Sequence, residues 1–192
     1  MKRTNTKTAR KLTAYELTYV ALAAALLSIC AWISIPAGDI PVTLQTFAVF
    51  VIAGLLGTKL SLLAITVYLL MGAVGLPVFS GMMGGLGRLA GPTGGYLIGF
   101  IFTALIVGSI TRHFGKKPFT LALSMISGMA VCYAFGTIWY VLISMGSLHL
   151  AGIGAALAKC VVPYLIPDGV KITAAVWVVR KLAPFSSPQY AS

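Results

Sequence analysis

The sequence predicts an all-α integral membrane protein, a bundle of six transmembrane helices with both termini cytoplasmic. Three observations carry this. Hydrophobic residues make up 59% of the chain and charged residues 9%, whereas soluble domains are roughly a quarter charged. Apolar runs approaching the ~20 residues of a spanning helix recur along the whole length. The basic residues gather at alternate turns, as the positive-inside rule requires. A chain of 192 residues has room for the spans and little else. It divides into a basic N-terminus (1–14), a membrane domain (15–183) and a polar tail (184–192).

The first span is expected from about Tyr15 to Ile35, where Pro36, Gly38 and Asp39 end it. The loop IPAGDIPVTLQ carries two prolines and cannot be helical throughout. A second span covers roughly Gln45 to Leu56 and stops at the turn Gly57–Thr58–Lys59. The third runs from Leu60 to about Val74, closed by Gly75–Leu76–Pro77. Residues 78–92, VFSGMMGGLGRLAGP, form the longest glycine-rich segment. A fourth span follows from Thr93 to about Ile110, and the basic turn TRHFGKKP leads to a fifth, from Phe119 to about Met145. Pro118 suits a helix start. The stretch from Gly146 to Pro167 is mixed, with a short helix expected over Ala151 to Val162. The sixth span begins near Pro167 and ends at Arg180–Lys181.

With the N-terminus inside, the cytoplasmic segments hold Lys2, Arg3, Lys7, Arg10, Lys11, Lys59, Arg112, Lys116, Lys117, Arg180 and Lys181. The outer loops hold Arg88 and Lys159, and Lys171 lies within the sixth helix. The net charge of +11 is therefore topogenic and no sign of nucleic-acid binding. The run from Leu17 to Ile35 is too long for a cleaved leader's apolar region and more spans follow it, so a retained first helix is expected. Cys30, Cys132 and Cys160 are scattered and read as small packing residues. His113 and His149 accompany no metal-ligand spacing, so no metal site is expected.

Setting the topogenic charges aside leaves Asp39, Arg88, Lys159, Asp168 and Lys171, all toward the outer side. An ionisable group at membrane depth is costly unless paired or wetted, which makes such residues functional candidates. Asp168 and Lys171 stand at i and i+3 in P-D-G-V-K and share a helix face. They form either a structural ion pair capping the helix, or a carboxylate and an ammonium presented to a ligand, and one arrangement serves both. The glycine-rich GGLGRLAGPTGGY lacks the Gly-Lys-Ser/Thr ending of a P-loop. Its glycines allow the segment to dip back and line a cavity, with Arg88 either clamping an anion or standing exposed. Gly91, Gly95 and Gly99, spaced by four, read as close helix packing. Ala21 and Ala25 make a similar docking face on the first helix, turned either into the bundle or toward another membrane protein. The chain has no Walker motif, no run of intramembrane acids and no nucleophile–base pair. It reads as an outward-facing capture device whose energy comes from a partner.

The segments GLPVF (Gly75 to Phe79), GGLGRLAGPTGGYLIGF (Gly84 to Phe100), IPVTLQTF (Ile40 to Phe47) and IPDGVK (Ile166 to Lys171) together resemble the BioY family. These are biotin-specific substrate-binding subunits, or S components, of energy-coupling factor (ECF) transporters. The likeness extends from the first helix to Lys181. It implies a six-helix, S-component-type fold in a bacterial or archaeal cytoplasmic membrane, with one vitamin bound near the outer surface under the loop joining the first two helices. It also implies a membrane coupling protein (the T component) and two cytoplasmic ATPases as partners, with toppling of the S component delivering biotin inward. The family's small-residue docking face falls on Ala21 and Ala25, and its ligand-contacting Asp and Lys fall on Asp168 and Lys171.

Biotin is then the transported ligand, with no cofactor. Asp168 is expected to accept ureido N–H bonds and Lys171 to meet an oxygen, with Gly84, Gly85 and Tyr96 shaping the wall. Arg88 is placed to attract the carboxylate, and Thr43 and Gln45 to close over the ligand. Which end of biotin meets Lys171 stays open at this point. The alternatives are an S component for another vitamin, a stand-alone facilitator or secondary carrier, with the missing coupling-ion acids opposing ion-driven uptake, and a membrane enzyme or assembly factor, for which no catalytic constellation can be assembled.

Overall fold

The structure, a computed structural model, describes residues 12–36, 40–145 and 150–184. Asp39, His149, the basic segment 1–11 and the tail from residue 185 lie outside the described residues.

Helix α1 (Ala14–Trp32) starts at a capping box: Thr13 Oγ1 accepts from the Glu16 N–H, and the Glu16 carboxylate accepts from the Thr13 N–H at 2.8 Å. Glu16 therefore ties down a helix end. One face of α1 buries Ala23, Ala24, Leu27 and Ala31 and packs on α2. After α1 the chain forms a minimal antiparallel hairpin, β1 (Ser34–Ile35) with β2 (Val42–Thr43), Ser34 opposite Thr43. Trp32 Nε1 donates to the Pro77 carbonyl at 2.8 Å and fastens this corner to the next loop.

Helix α2 (Gln45–Ala73) is broken at Gly57, with φ 72° and ψ −176°. An unbroken helix rising 1.5 Å per residue would separate Gln45 from Tyr68 by roughly 35 Å. Instead Gln45 Nε2 donates to the Tyr68 hydroxyl at 2.5 Å. The two arms, 45–56 and 58–73, are thus antiparallel and make the second and third crossings that the sequence predicts. Among the described residues five helical segments are long and apolar enough to span a membrane; with α2 folded on itself their crossings number six. Only glycine is at ease at positive φ with extended ψ, where other residues cost about 1–3 kcal/mol. Gly57→Ala is accordingly expected to destabilise the empty protein by about 1–3 kcal/mol. Thermal unfolding in detergent checks this, and an unchanged midpoint would show that the reversal tolerates a β-carbon.

The loop after α2 is less irregular than the sequence suggests, because it contains a short helix, α3 (Leu86–Ala90). Helix α4 (Gly94–Phe114) runs a turn beyond the expected end at Ile110. It lies against α5 (Pro118–Met145) with little between the backbones. A β-carbon on Gly95 would stand 2.3 Å from Trp139 Cβ, and one on Gly99 2.7 Å from Cys132 Sγ. From the other side Gly128 faces Thr103 and Gly136 faces the Tyr96 ring. Lipid offers little hydrophobic drive between helices, so such close approach is what joins them. Gly91 is the exception in its row: it caps α3, and its carbonyl accepts from Trp139 Nε1 at 3.0 Å. Helix α6 (Leu150–Cys160), a 3-10 turn η1 (Val162–Tyr164) and α7 (Leu165–Leu182) complete the chain.

At one end of the bundle Lys116 Nζ donates to the Leu55 carbonyl at 3.1 Å, joining the α4–α5 turn to the first arm of α2 just before its reversal. Partial burial lowers the Lys116 pKa. The core between the ends is filled by Tyr68, Phe50, Phe79, Leu27, Ile65 and Leu121, all fully buried. The described loop residues 33–36, 40–44 and 74–93 and the turn η1 share the opposite end.

Candidate ligand cavity

At that loop-bearing end α2, α4, α5 and α7 part around a partly open cavity. Its apolar wall comes from Val49, Phe50, Leu97, Phe100 and Met129, with Ile40 and Pro41 of the first loop also lining it.

The polar centre is built on the first turn of α7. Pro167 costs nothing there because the first four helical N–H groups have no carbonyl to meet, and Asp168 gains from the positive end of the helix dipole. Asp168 and Lys171 are 3% and 8% exposed, so both charges are withdrawn from water and need partners. Lys171 Nζ meets Asp168 Oδ1 at 2.7 Å. Thr46 of α2 donates to the same oxygen at 3.1 Å, and Tyr133 of α5 donates to Oδ2. One carboxylate thereby ties three helices. Among the described residues no buried side-chain nitrogen or oxygen lacks a partner.

Arg88 of α3 also lines the cavity and is half-buried. Among the described residues it has no side-chain hydrogen-bond or ion-pair partner. With Asp168 and Lys171 cancelling, the described residues that line the pocket carry one positive charge in surplus.

Three further residues expected at the site line the cavity: Tyr96, Gln45 and Thr43. Tyr96 shares a hydrogen bond of 3.2 Å with Thr137. Gln45 is 3% exposed, and besides its bond to Tyr68 its Oε1 accepts from Thr43 at 3.4 Å. It braces the wall more than it reaches into the space. Gly84 and Gly85 do not shape the wall as expected, because neither is among the residues that line the cavity. Gly84 is pressed on the 75–76 turn, where a β-carbon would stand 2.3 Å from the Leu76 carbonyl oxygen. Gly85 starts α3 at φ 97° and donates to the Gly72 carbonyl at 2.7 Å. They fold the loop that presents Arg88.

Sequence reasoning misses Thr46, Tyr133 and Tyr164. Tyr164 lines the cavity and donates to the Ile40 carbonyl, holding the first loop to η1. A polar side chain inside an otherwise apolar span was the available signal for Tyr133. Cys132 and Cys160, expected as packing residues, are buried and also border the cavity. Ala21 and Ala25 are exposed on the face of α1 turned away from the bundle, beside the exposed Leu22 and Leu26.

Six crossings around a pocket with a buried ion pair and a surplus cation define a membrane-embedded solute-binding protein. The sequence profile of the BioY family matches residues 3–187, and the chain belongs to that family. It is 40% identical over 158 residues to the biotin transporter BioY of Thermotoga maritima, covering 82% of this chain and 89% of the relative. A relative from Pyrococcus horikoshii is 38% identical over 88% of this chain and 96% of its own length. The fold is also similar to the crystal structure of an S-component for biotin from an ECF-type ABC transporter, with TM-score 0.79 and 26% identity over 91% of this chain and 95% of the other. The chain is a multi-pass protein of the cytoplasmic membrane.

Proposed function

We propose that this chain is the biotin-capturing S component of an ECF-type uptake system, taking biotin at the outer face and handing it inward with a T component and two cytoplasmic ATPases. On this reading it is a transport subunit and no enzyme. The observation that carries the ligand assignment is the buried Asp168–Lys171 pair in a pocket whose described lining also bears Arg88. Biotin has a ureido ring with N–H donors and a carbonyl, an apolar thiophane and a valerate with one negative charge. Asp168, deep and anionic, suits the ureido N–H groups and repels a carboxylate; Arg88 on the loop suits the valerate. The ring therefore enters first and the tail lies toward α3. The turns bearing Lys59, Lys116 and Lys117 and the α7 end bearing Arg180 and Lys181 face the cytoplasm, which puts both termini inside.

Calorimetry on the detergent-purified protein with biotin, riboflavin and thiamine tests the ligand. Tight binding of biotin alone is expected; tight binding of another vitamin alone would overturn the assignment. Arg88→Ala should weaken biotin roughly tenfold while leaving biotin methyl ester, which has no charge to meet, nearly unchanged. Equal losses for both ligands would remove Arg88 from the carboxylate.

A further inference from the structure

The polar centre treats the two oxygens of Asp168 differently. A carboxylate oxygen offers about two lone-pair directions. Oδ1 has both taken, by Lys171 at 2.7 Å and Thr46 at 3.1 Å, whereas among the described residues Oδ2 accepts from Tyr133 alone. An incoming N–H thus finds its acceptor at Oδ2, and the donor beside that acceptor is the Tyr133 hydroxyl, which also borders the cavity. Of the other hydroxyls bordering the pocket, Tyr164 is engaged on the Ile40 carbonyl, Tyr96 with Thr137 and Thr103 on the Gly99 and Gly128 carbonyls, while Ser80 and Thr93 border it without contacting Asp168.

A cyclic urea presents an N–H and a C=O side by side on one edge. Its complement is an acceptor next to a donor, which is what Asp168 Oδ2 and the Tyr133 O–H supply. We propose that Tyr133 is a specificity-determining residue: on ligand entry its O–H turns from Asp168 to the ureido carbonyl oxygen, while the N–H on the same edge takes its place on Oδ2. The exchange conserves the number of hydrogen bonds on the carboxylate. Lys171 stays on Oδ1 as its ion-pair partner. This rests on biotin being the ligand and adds which protein donor reads its carbonyl.

The test compares biotin with 2-iminobiotin, whose C=NH replaces the carbonyl and is protonated at neutral pH, leaving no acceptor there. Tyr133→Phe is expected to weaken biotin roughly ten- to a hundredfold and to change 2-iminobiotin little, so the preference for biotin shrinks. A loss of the same factor for both ligands, or no loss for either, overturns the proposal. Thr46→Val serves as the control: Thr46 touches only Oδ1, so its loss should fall on both ligands alike, and a selective loss for biotin there would move the reading to Thr46. In the wild-type protein, the infrared carbonyl band of bound biotin labelled at the ureido carbon should lie below that of the same label in an aprotic solvent, as a donor requires. A band at the aprotic position would overturn the assignment even if Tyr133→Phe did not fold. Failure of the wild-type protein to bind biotin at all would instead remove the ligand assignment beneath it.

Discussion

Asp168→Asn is expected to weaken biotin binding by at least about a hundredfold. The substitution changes one oxygen into a donor amide where the ligand presents N–H groups, so a hydrogen bond becomes a clash of donors. It also strands the Lys171 ammonium, 8% exposed, without its anion. Removing one partner of a buried pair destabilises by roughly 3–5 kcal/mol, because the other charge stays desolvated. The empty variant should therefore also unfold at a lower temperature. These two effects can be separated. Asp168→Asn combined with Lys171→Met removes both charges, and neutralised buried pairs often recover their stability. The double variant should regain most of the lost thermal stability and none of the lost binding. If binding returned together with stability, the pair would be a structural cap and the ligand would be held elsewhere.

The second large effect concerns α1. Ala21→Trp is expected to leave biotin affinity unchanged and to abolish uptake driven by the ATPase partners. Ala21 and Ala25 are exposed, and the inward face of the same helix is carried by Ala23, Ala24 and Leu27. A bulky ring at position 21 points away from the bundle and costs the isolated protein little. On a small-residue surface that must meet another helix closely, it holds the two backbones apart. Calorimetry of the purified variant and uptake into vesicles containing the whole complex check the two halves. Uptake at the wild-type rate would place the coupling surface on another helix.

The spans were legible because each apolar run ends in residues that cannot continue a membrane helix, such as Gly57 and the Gly75–Leu76–Pro77 turn. Gly57 was readable as a turn although the arms it joins are otherwise helical throughout, since a single positive φ reverses the chain. The first-loop hairpin and α3 were not readable. Two-residue strands and a five-residue helix among glycines have no periodicity to detect. At the site, Asp168 and Lys171 stood out because charge in an apolar run is rare. Thr46 and Tyr133 did not, because a threonine or a tyrosine in a span is unremarked until the fold sets it against a carboxylate. Gly84 and Gly85 misled for the opposite reason: their conformational freedom was visible, but the sequence did not say which way the turn they make would face.

The bonds on Asp168 reach back to Tyr133 and Thr46, which are 35 and 122 residues earlier in the chain. During synthesis those two side chains enter the membrane well before the carboxylate that will accept their hydrogen bonds. The pocket is therefore finished only when α7 inserts, and a nascent protein lacking that helix has walls but no anion to recognise a ligand. Arrested or truncated chains should remain blank to biotin, so the competence to bind marks a completed molecule.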